Sequence, residues 1–231
     1  CIRDRSIVAA ISALSLIVSM NIGIGSVFAG EQNTVPGTAE QPFVVTDGLF
    51  DQTKTESDLG LSKIEGAETV TVFTATDDTD HYCNGVVMTE FKGKLYTQWQ
   101  SSAKDEDAED TWVAYSVSDD NGATWSEPKV LVPTIDNGYC SSGGWFVSGD
   151  TLVSYINVWY SDTTPRGGFA YYVESTDGEH WSEMKPVLMK DGTPMEGIIE
   201  QDPHVLASGR IVNAAHFQPG LFAYPIYTDD P

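Results

Sequence analysis

Arg166, in the run Y-S-D-T-T-P-R-G-G, is the residue best suited to grip an anion, because a guanidinium offers a planar pair of N–H donors that matches a carboxylate. His81, His204, His216 and Tyr160 carry side chains able to give or take a proton during bond cleavage. Trp159 and Tyr139 present flat π faces on which a sugar ring can stack, and Gln98 and Gln100 carry amides that pair with hydroxyls. A clamp, proton donors and acceptors, and a stacking surface together describe carbohydrate chemistry. Taken singly, each residue also has a plain structural reading, as a surface imidazole, a core ring or a satisfied amide.

The elements that must position these residues repeat along the chain. Val113 to Trp125 reads V-A-Y-S-V-S-D-D-N-G-A-T-W: a strand, a turn of Asp, Asn and Gly, and the start of another strand. Ala170 to Trp181 gives A-Y-Y-V-E-S-T-D-G-E-H-W, and Ala223 to Pro231 gives A-Y-P-I-Y-T-D-D-P. Ser118 to Ser175 spans 57 residues and Ser175 to Thr228 spans 53. A glycine turn between apolar runs precedes each copy, at Phe91–Tyr96, Val147–Val153 and Ala207–Val212. The unit is therefore strand, Gly turn, strand, loop, strand, Asp turn, strand. A four-stranded unit at this period is the signature of a propeller blade, so the expected fold is all-β, with about three blades in Thr69–Pro231.

Ser118, Asp120, Gly122 and Trp125 form an S-x-D-x-G-x-T-W box that resembles the Asp-box of the sialidase superfamily. Ser175, Asp177, Gly178 and Trp181 resemble its one-residue-shorter variant. The resemblance implies a six- or seven-bladed β-propeller, with these eight residues as turn-builders, and a glycosidase-like activity on a sialate- or uronate-bearing glycan. Sialidases place an Arg-Ile-Pro motif ahead of the first Asp-box, and no arginine lies between Gly30 and Val117 here. F-K-G-K-L-Y-T-Q-W and the acidic run after it also resemble the first blade of ulvan-lyase-like propellers, which implies a polysaccharide lyase using His and Tyr as base and acid. A lectin-like propeller that binds without cleaving is the third reading, since one scaffold hosts several functions.

Arg3 and Arg5 precede an apolar stretch, Ile7–Phe28, that ends in Val27-Phe28-Ala29. This predicts a secretory signal peptide over 1–29, with an uncleaved anchor as its rival. Residues 30–68 are polar and aperiodic and read as a linker or N-terminal arm. T-V-T-V-F-T at Thr69–Thr74 reads as a first strand, and both ends of the sequence read as those of a fragment. A net charge of −22 argues against nucleic acid and anionic lipid as partners. An acidic oligo- or polysaccharide would have to meet a locally basic site. Cys83 and Cys140 fall in echoing Tyr-Cys pairs, either bridged or as two thiols. The run Ser101–Asp110 lacks the spacing of a calcium loop and reads as a solvated loop, so no cofactor or metal is expected.

Strand parity sorts the candidates. Gly turns and Asp turns share one face of a blade, and the loops joining successive blades share the other. That second face collects His81, Tyr139, Trp159, Tyr160, Arg166, His204 and His216, while Arg210 follows a Gly turn on the opposite face.

Overall fold

A computed structural model describes residues 51, 53–55, 65–217 and 222–229. The expected leader at 1–29 and most of the arm at 30–68 lie outside the described residues. The chain divides into two units, Cys1–Thr69 and Val70–Pro231. In the first, Asp51 closes a short turn by accepting from the Thr53 amide at 3.0 Å.

The second unit is all-β, with no helix among the described residues. Among the described residues, twelve strands form three four-stranded antiparallel sheets. Blade one holds β1 (Tyr82–Phe91), β2 (Lys94–Ser102), β3 (Trp112–Ser118) and β4 (Lys129–Val132) in sequence order. Blade two repeats that order with β5 (Gly138–Ser148), β6 (Thr151–Tyr160), β7 (Phe169–Ser175) and β8 (Lys185–Pro186). In blade three the first strand is split into β9 (Gly197–Ile199) and β10 (His204–Val205). Both pieces pair with β11 (Ile211–Phe217), which pairs in turn with β12 (Phe222–Thr228).

The repeats superpose in register. Leu95 pairs with Ser118, Leu152 with Ser175 and Ile211 with Thr228, so the three Asp turns begin at equivalent positions. The first strand of each blade is also interrupted at one place: between Asn84 and Val87, between Ser142 and Trp145, and between Ile199 and His204. A bulge there bends the strand and turns its carbonyls toward the neighbouring blade.

Buried amides tie those bulges together. Gln98 is fully buried; its Nε2 donates to the carbonyls of Gly143 at 3.1 Å and Gly144 at 3.4 Å, and its Oε1 accepts from Ser154 Oγ at 2.8 Å. Asn157 repeats the device toward blade three, accepting from the Ile199 amide at 2.8 Å and donating to its carbonyl at 3.0 Å. Gly143 is required there, because a Cβ would lie 2.7 Å from the carbonyl oxygens of Ile199 and Tyr155. Apolar packing fills the remainder. Trp145, 2% exposed, donates from its indole to the Val87 carbonyl at 3.2 Å and meets the rings of Tyr96 and Trp181.

The Asp turns close through one carboxylate each. Asp120 accepts from Ser118 Oγ, the Thr124 amide and Thr124 Oγ1, and Ser118 Oγ accepts from the Gly122 amide. Asp177 accepts from Ser175 Oγ and from the amides of Glu179 and His180. The two tryptophans hold equivalent positions, since Ser126 N bonds Val117 O as Ser182 N bonds Glu174 O. Their surroundings differ. Trp181 packs on Tyr115 and Trp145 between blades, whereas Trp125 bonds back to its own turn, at Gly122 O.

Thr69–Thr74 forms no strand. Its β-branched residues suit a strand, but among the described residues no neighbouring strand hydrogen-bonds to them; instead Phe73 stacks on Trp99 at 6.1 Å. Cys83 and Cys140 occupy equivalent positions, one opposite Ser101 and the other opposite Val158, and both are free thiols.

Candidate functional site

Tyr139 opens β5 and Trp159 lies near the end of β6, directly opposite in register. Cross-strand aromatic pairs lie close enough to stack, and these rings do, with centroids 6.1 Å apart and planes 14° from parallel. Gly168 makes room for the indole: a Cβ there would meet Ile198 Cγ2 and sit 3.3 Å from Trp159 ring carbons. The loop between β6 and β7 then carries Arg166 back over the pair. Its guanidinium carbon is 5.3 Å from the Trp159 ring and 5.6 Å from that of Tyr139. Arg166 Nη2 donates to the Tyr139 hydroxyl and, at 2.7 Å, to Asp107 Oδ1.

Asp107 comes from blade one, from the acidic run between β2 and β3. That loop is pinned rather than simply solvated. Gln100 Nε2 donates to the Glu106 carbonyl at 2.6 Å, and Asp110 Oδ2 accepts from the Ala103 amide at 3.1 Å. Glu106 Oε2 accepts from the Tyr82 hydroxyl at 3.0 Å and from Asn84 Nδ2 at 3.4 Å. Two consecutive carboxylates therefore reach two blades: Glu106 holds Tyr82 at the start of β1, and Asp107 holds Arg166 beside Tyr139 at the start of β5. Desolvation, then the hydrogen bond to Glu106, raises the Tyr82 hydroxyl above the usual phenol value, so it stays a donor at neutral pH.

The structure gathers Tyr139, Trp159 and Arg166 and separates them from several other candidates. Gln98 is a buried tie between blades and cannot touch a ligand, which corrects its reading as a sugar contact. Gln100 is 4% exposed and holds the acidic loop, a second correction. His204 pairs with Val212 and His216 with Ile198. At about 3.3 Å per residue, the two histidines sit roughly 13 Å apart along the sheet, with His204 at the Gly-turn end. His204 therefore does not share the rim expected for it. His216 stays on that side, its Nδ1 3.6 Å from Glu200 Oε2. Tyr160 points away from its neighbour Trp159, as strand alternation requires. Its hydroxyl lies 3.0 Å from that of Tyr171, and burial followed by that contact pushes its pKa up to about 12. His81 is exposed and lines a cavity of about 480 Å³ with Phe73, Cys83 and Trp99, a cavity that reaches the site only through Asn84.

Tyr82, Asn84, Glu106 and Asp107 are the members that sequence reasoning passed over. The echo of Tyr82-Cys83 in Tyr139-Cys140 marked the two tyrosines as equivalent, but nothing local says which carboxylate of an acidic run will turn inward. No cluster of His, Cys, Asp and Glu suited to a metal ion occurs among the described residues. The assembled face offers an aromatic platform edged by a guanidinium, a phenol, an amide and two carboxylates. Such a set can stack a ring and exchange hydrogen bonds with several hydroxyls.

Three in-phase blades, closed by Asp turns and carrying polar groups at their strand-one ends, define a β-propeller of the Asp-box type. The chain belongs to the BNR repeat-like domain family, which it matches over residues 93–231. Among solved structures it is similar to a protein of unknown function from Dyadobacter fermentans, at 13% identity over 69% of this chain and 54% of that one, with a TM-score of 0.55. A leech intramolecular trans-sialidase matches at 11% identity over 77% and 46%, with a TM-score of 0.51. A family 117 glycoside hydrolase from Zobellia galactanivorans matches at 14% identity over 68% and 56%, with a TM-score of 0.47. The chain thus spans about half the length of these relatives. No curated protein matches it.

Proposed function

We propose that this protein is a secreted, glycan-cleaving enzyme of the glycoside hydrolase type, and that the Tyr139–Trp159 face is where it holds its sugar. The observation that carries this reading is the stacked cross-strand pair edged by Arg166, Asp107, Tyr82 and Glu106. Aromatic rings accept the apolar face of a sugar, and flanking donors and acceptors fix its hydroxyls. The named activity of the leech trans-sialidase agrees with a glycan as the ligand class. Secretion rests on the leader-like sequence of Ile7–Phe28.

A lectin-like role is the second reading, favoured by the engagement of Glu106 and Asp107 in hydrogen bonds that would have to open before either carboxylate moved a proton. The experiment is to incubate the full-length protein with a panel of plant, algal and animal glycans. Reducing-end release marks a hydrolase, ultraviolet absorbance of an unsaturated uronate marks a lyase, and retention without cleavage marks a lectin. Trp159→Ala should weaken retention or turnover roughly 10–100-fold with the circular dichroism spectrum unchanged. A protein that neither retains nor cleaves any member of the panel, or a Trp159→Ala variant indistinguishable from the parent, overturns the assignment.

A further inference from the structure

An acidic glycan needs a free cation at the site, and the charge on this face is of the other sign. The loop at 103–110 carries Asp105, Glu106, Asp107, Glu109 and Asp110 against Lys104, and the loop at 161–168 carries Asp162 against Arg166. Arg166 is already neutralised by Asp107 at 2.7 Å, with both side chains more than half exposed. The other arginine among the described residues, Arg210, is held by both oxygens of Asp229 at 2.7 and 2.9 Å and lies against the Tyr227 ring, on the face of the Gly turns. Asp107 and the Tyr139 hydroxyl both take Arg166 through Nη2, so an incoming carboxylate would either displace Asp107 or approach the remaining N–H groups and stand beside Asp107 and Glu106. Two like charges a few ångströms apart repel in water, and more strongly in a partly desolvated site.

We infer that the ligand of this face is an uncharged glycan, stacked on Tyr139 and Trp159 and hydrogen-bonded through its hydroxyls to Glu106, Asp107 and Asn84, with Arg166 acting as a positioning residue and not as a carboxylate clamp. The inference rests on the reading of the face as a glycan site and deepens it. It reverses the expectation of a sialate or uronate substrate that sequence alone suggests. Held across the rings by Asp107, Arg166 fixes the loop at 161–168 and the tilt of Tyr139. Carboxylates suit sugar hydroxyls well, because each oxygen accepts from a donor that an uncharged ring supplies in plenty.

The experiment uses the full-length protein and matched oligosaccharide pairs that differ only in the oxidation of C6: cellotetraose and its glucuronate form, galactotetraose and tetragalacturonate, mannotetraose and its mannuronate form. Calorimetric titration at low and moderate salt should show the neutral member of whichever pair binds to be at least 10-fold tighter. Its affinity should change less than twofold with salt, because no net ion pair is screened. Asp107→Asn, which keeps the shape and frees the guanidinium, should tighten the uronate member by roughly 10-fold and weaken the neutral one, whose hydroxyls lose a charged acceptor. A wild-type protein that prefers the uronate member overturns the inference while leaving a glycan site in place. An Asp107→Asn variant that binds the uronate member no better also overturns it. Failure of every pair to bind removes the glycan site itself and the inference with it.

Discussion

Gln98 in β2 donates from Nε2 to the carbonyl oxygen of Gly143 in β5 at 3.1 Å, so a single buried amide joins two blades at the bulge of the second. Replacing it by leucine keeps the volume and strands the Gly143 and Gly144 carbonyls without a donor. An unsatisfied buried acceptor costs about 1–3 kcal/mol. The expected outcome for Gln98→Leu is a lower urea midpoint at an unchanged slope of unfolding free energy on denaturant. A shift smaller than about 0.5 kcal/mol, which is typical of surface substitutions, would show that the tie carries no stability.

Trp145 and Trp125 separate core packing from turn-building. Trp145 is 2% exposed and touches Tyr96, Trp181 and Val87, so Trp145→Ala should cost about 3–5 kcal/mol. Trp125 is half-buried and bonds its own turn, so Trp125→Ala should cost less than half as much. Chemical denaturation of both variants gives the ranking, and a reversed order would place the inter-blade core elsewhere.

Hydrogen bonds from Thr124 and Ser118 pull the Asp120 carboxyl down to about 2, and amide bonds from His180 and Glu179 pull Asp177 lower still. An unfolded aspartate titrates near 3.9. Between about pH 4 and 2 the unfolded chain therefore binds protons that the folded chain does not, and stability falls as pH drops. The contribution is complete above about pH 4 and is lost as pH falls through the folded value. Asp120→Asn should flatten the dependence of thermal midpoint on pH within that window. An unchanged slope would mean that Asp120 is not ionised in the folded turn.

Cys83 is exposed, whereas Cys140 is buried and its thiol is pushed up to about 12 by desolvation. The thiolate is the reactive form. With Cys1 replaced by serine, native protein at pH 8 should thus release one equivalent of chromophore from a disulfide reagent, and denatured, unreduced protein two. Zero equivalents from the denatured protein would demonstrate a bridge.

The sequence by itself determined the strand order, the two kinds of turn and their phase. Those depend on contacts a few residues apart: Ser118 with Asp120, Asp120 with Thr124, Ser175 with Asp177. The up-and-down parity of successive strands put Tyr139, Trp159 and Arg166 at one end of the blade. The tertiary structure decided everything that needs a second blade. Gln98 reads as a free amide in sequence because its acceptors lie 45 and 46 residues away, and an amide is drawn to whichever unpaired carbonyls a bulge exposes. Thr69–Thr74 has the composition of a strand but, among the described residues, no neighbouring strand to bond, and a strand's hydrogen bonds are never its own. Arg166 looks like a free clamp until the loop 59 residues earlier supplies Asp107. A charge is defined by what surrounds it, and in a propeller the surroundings come from the next blade.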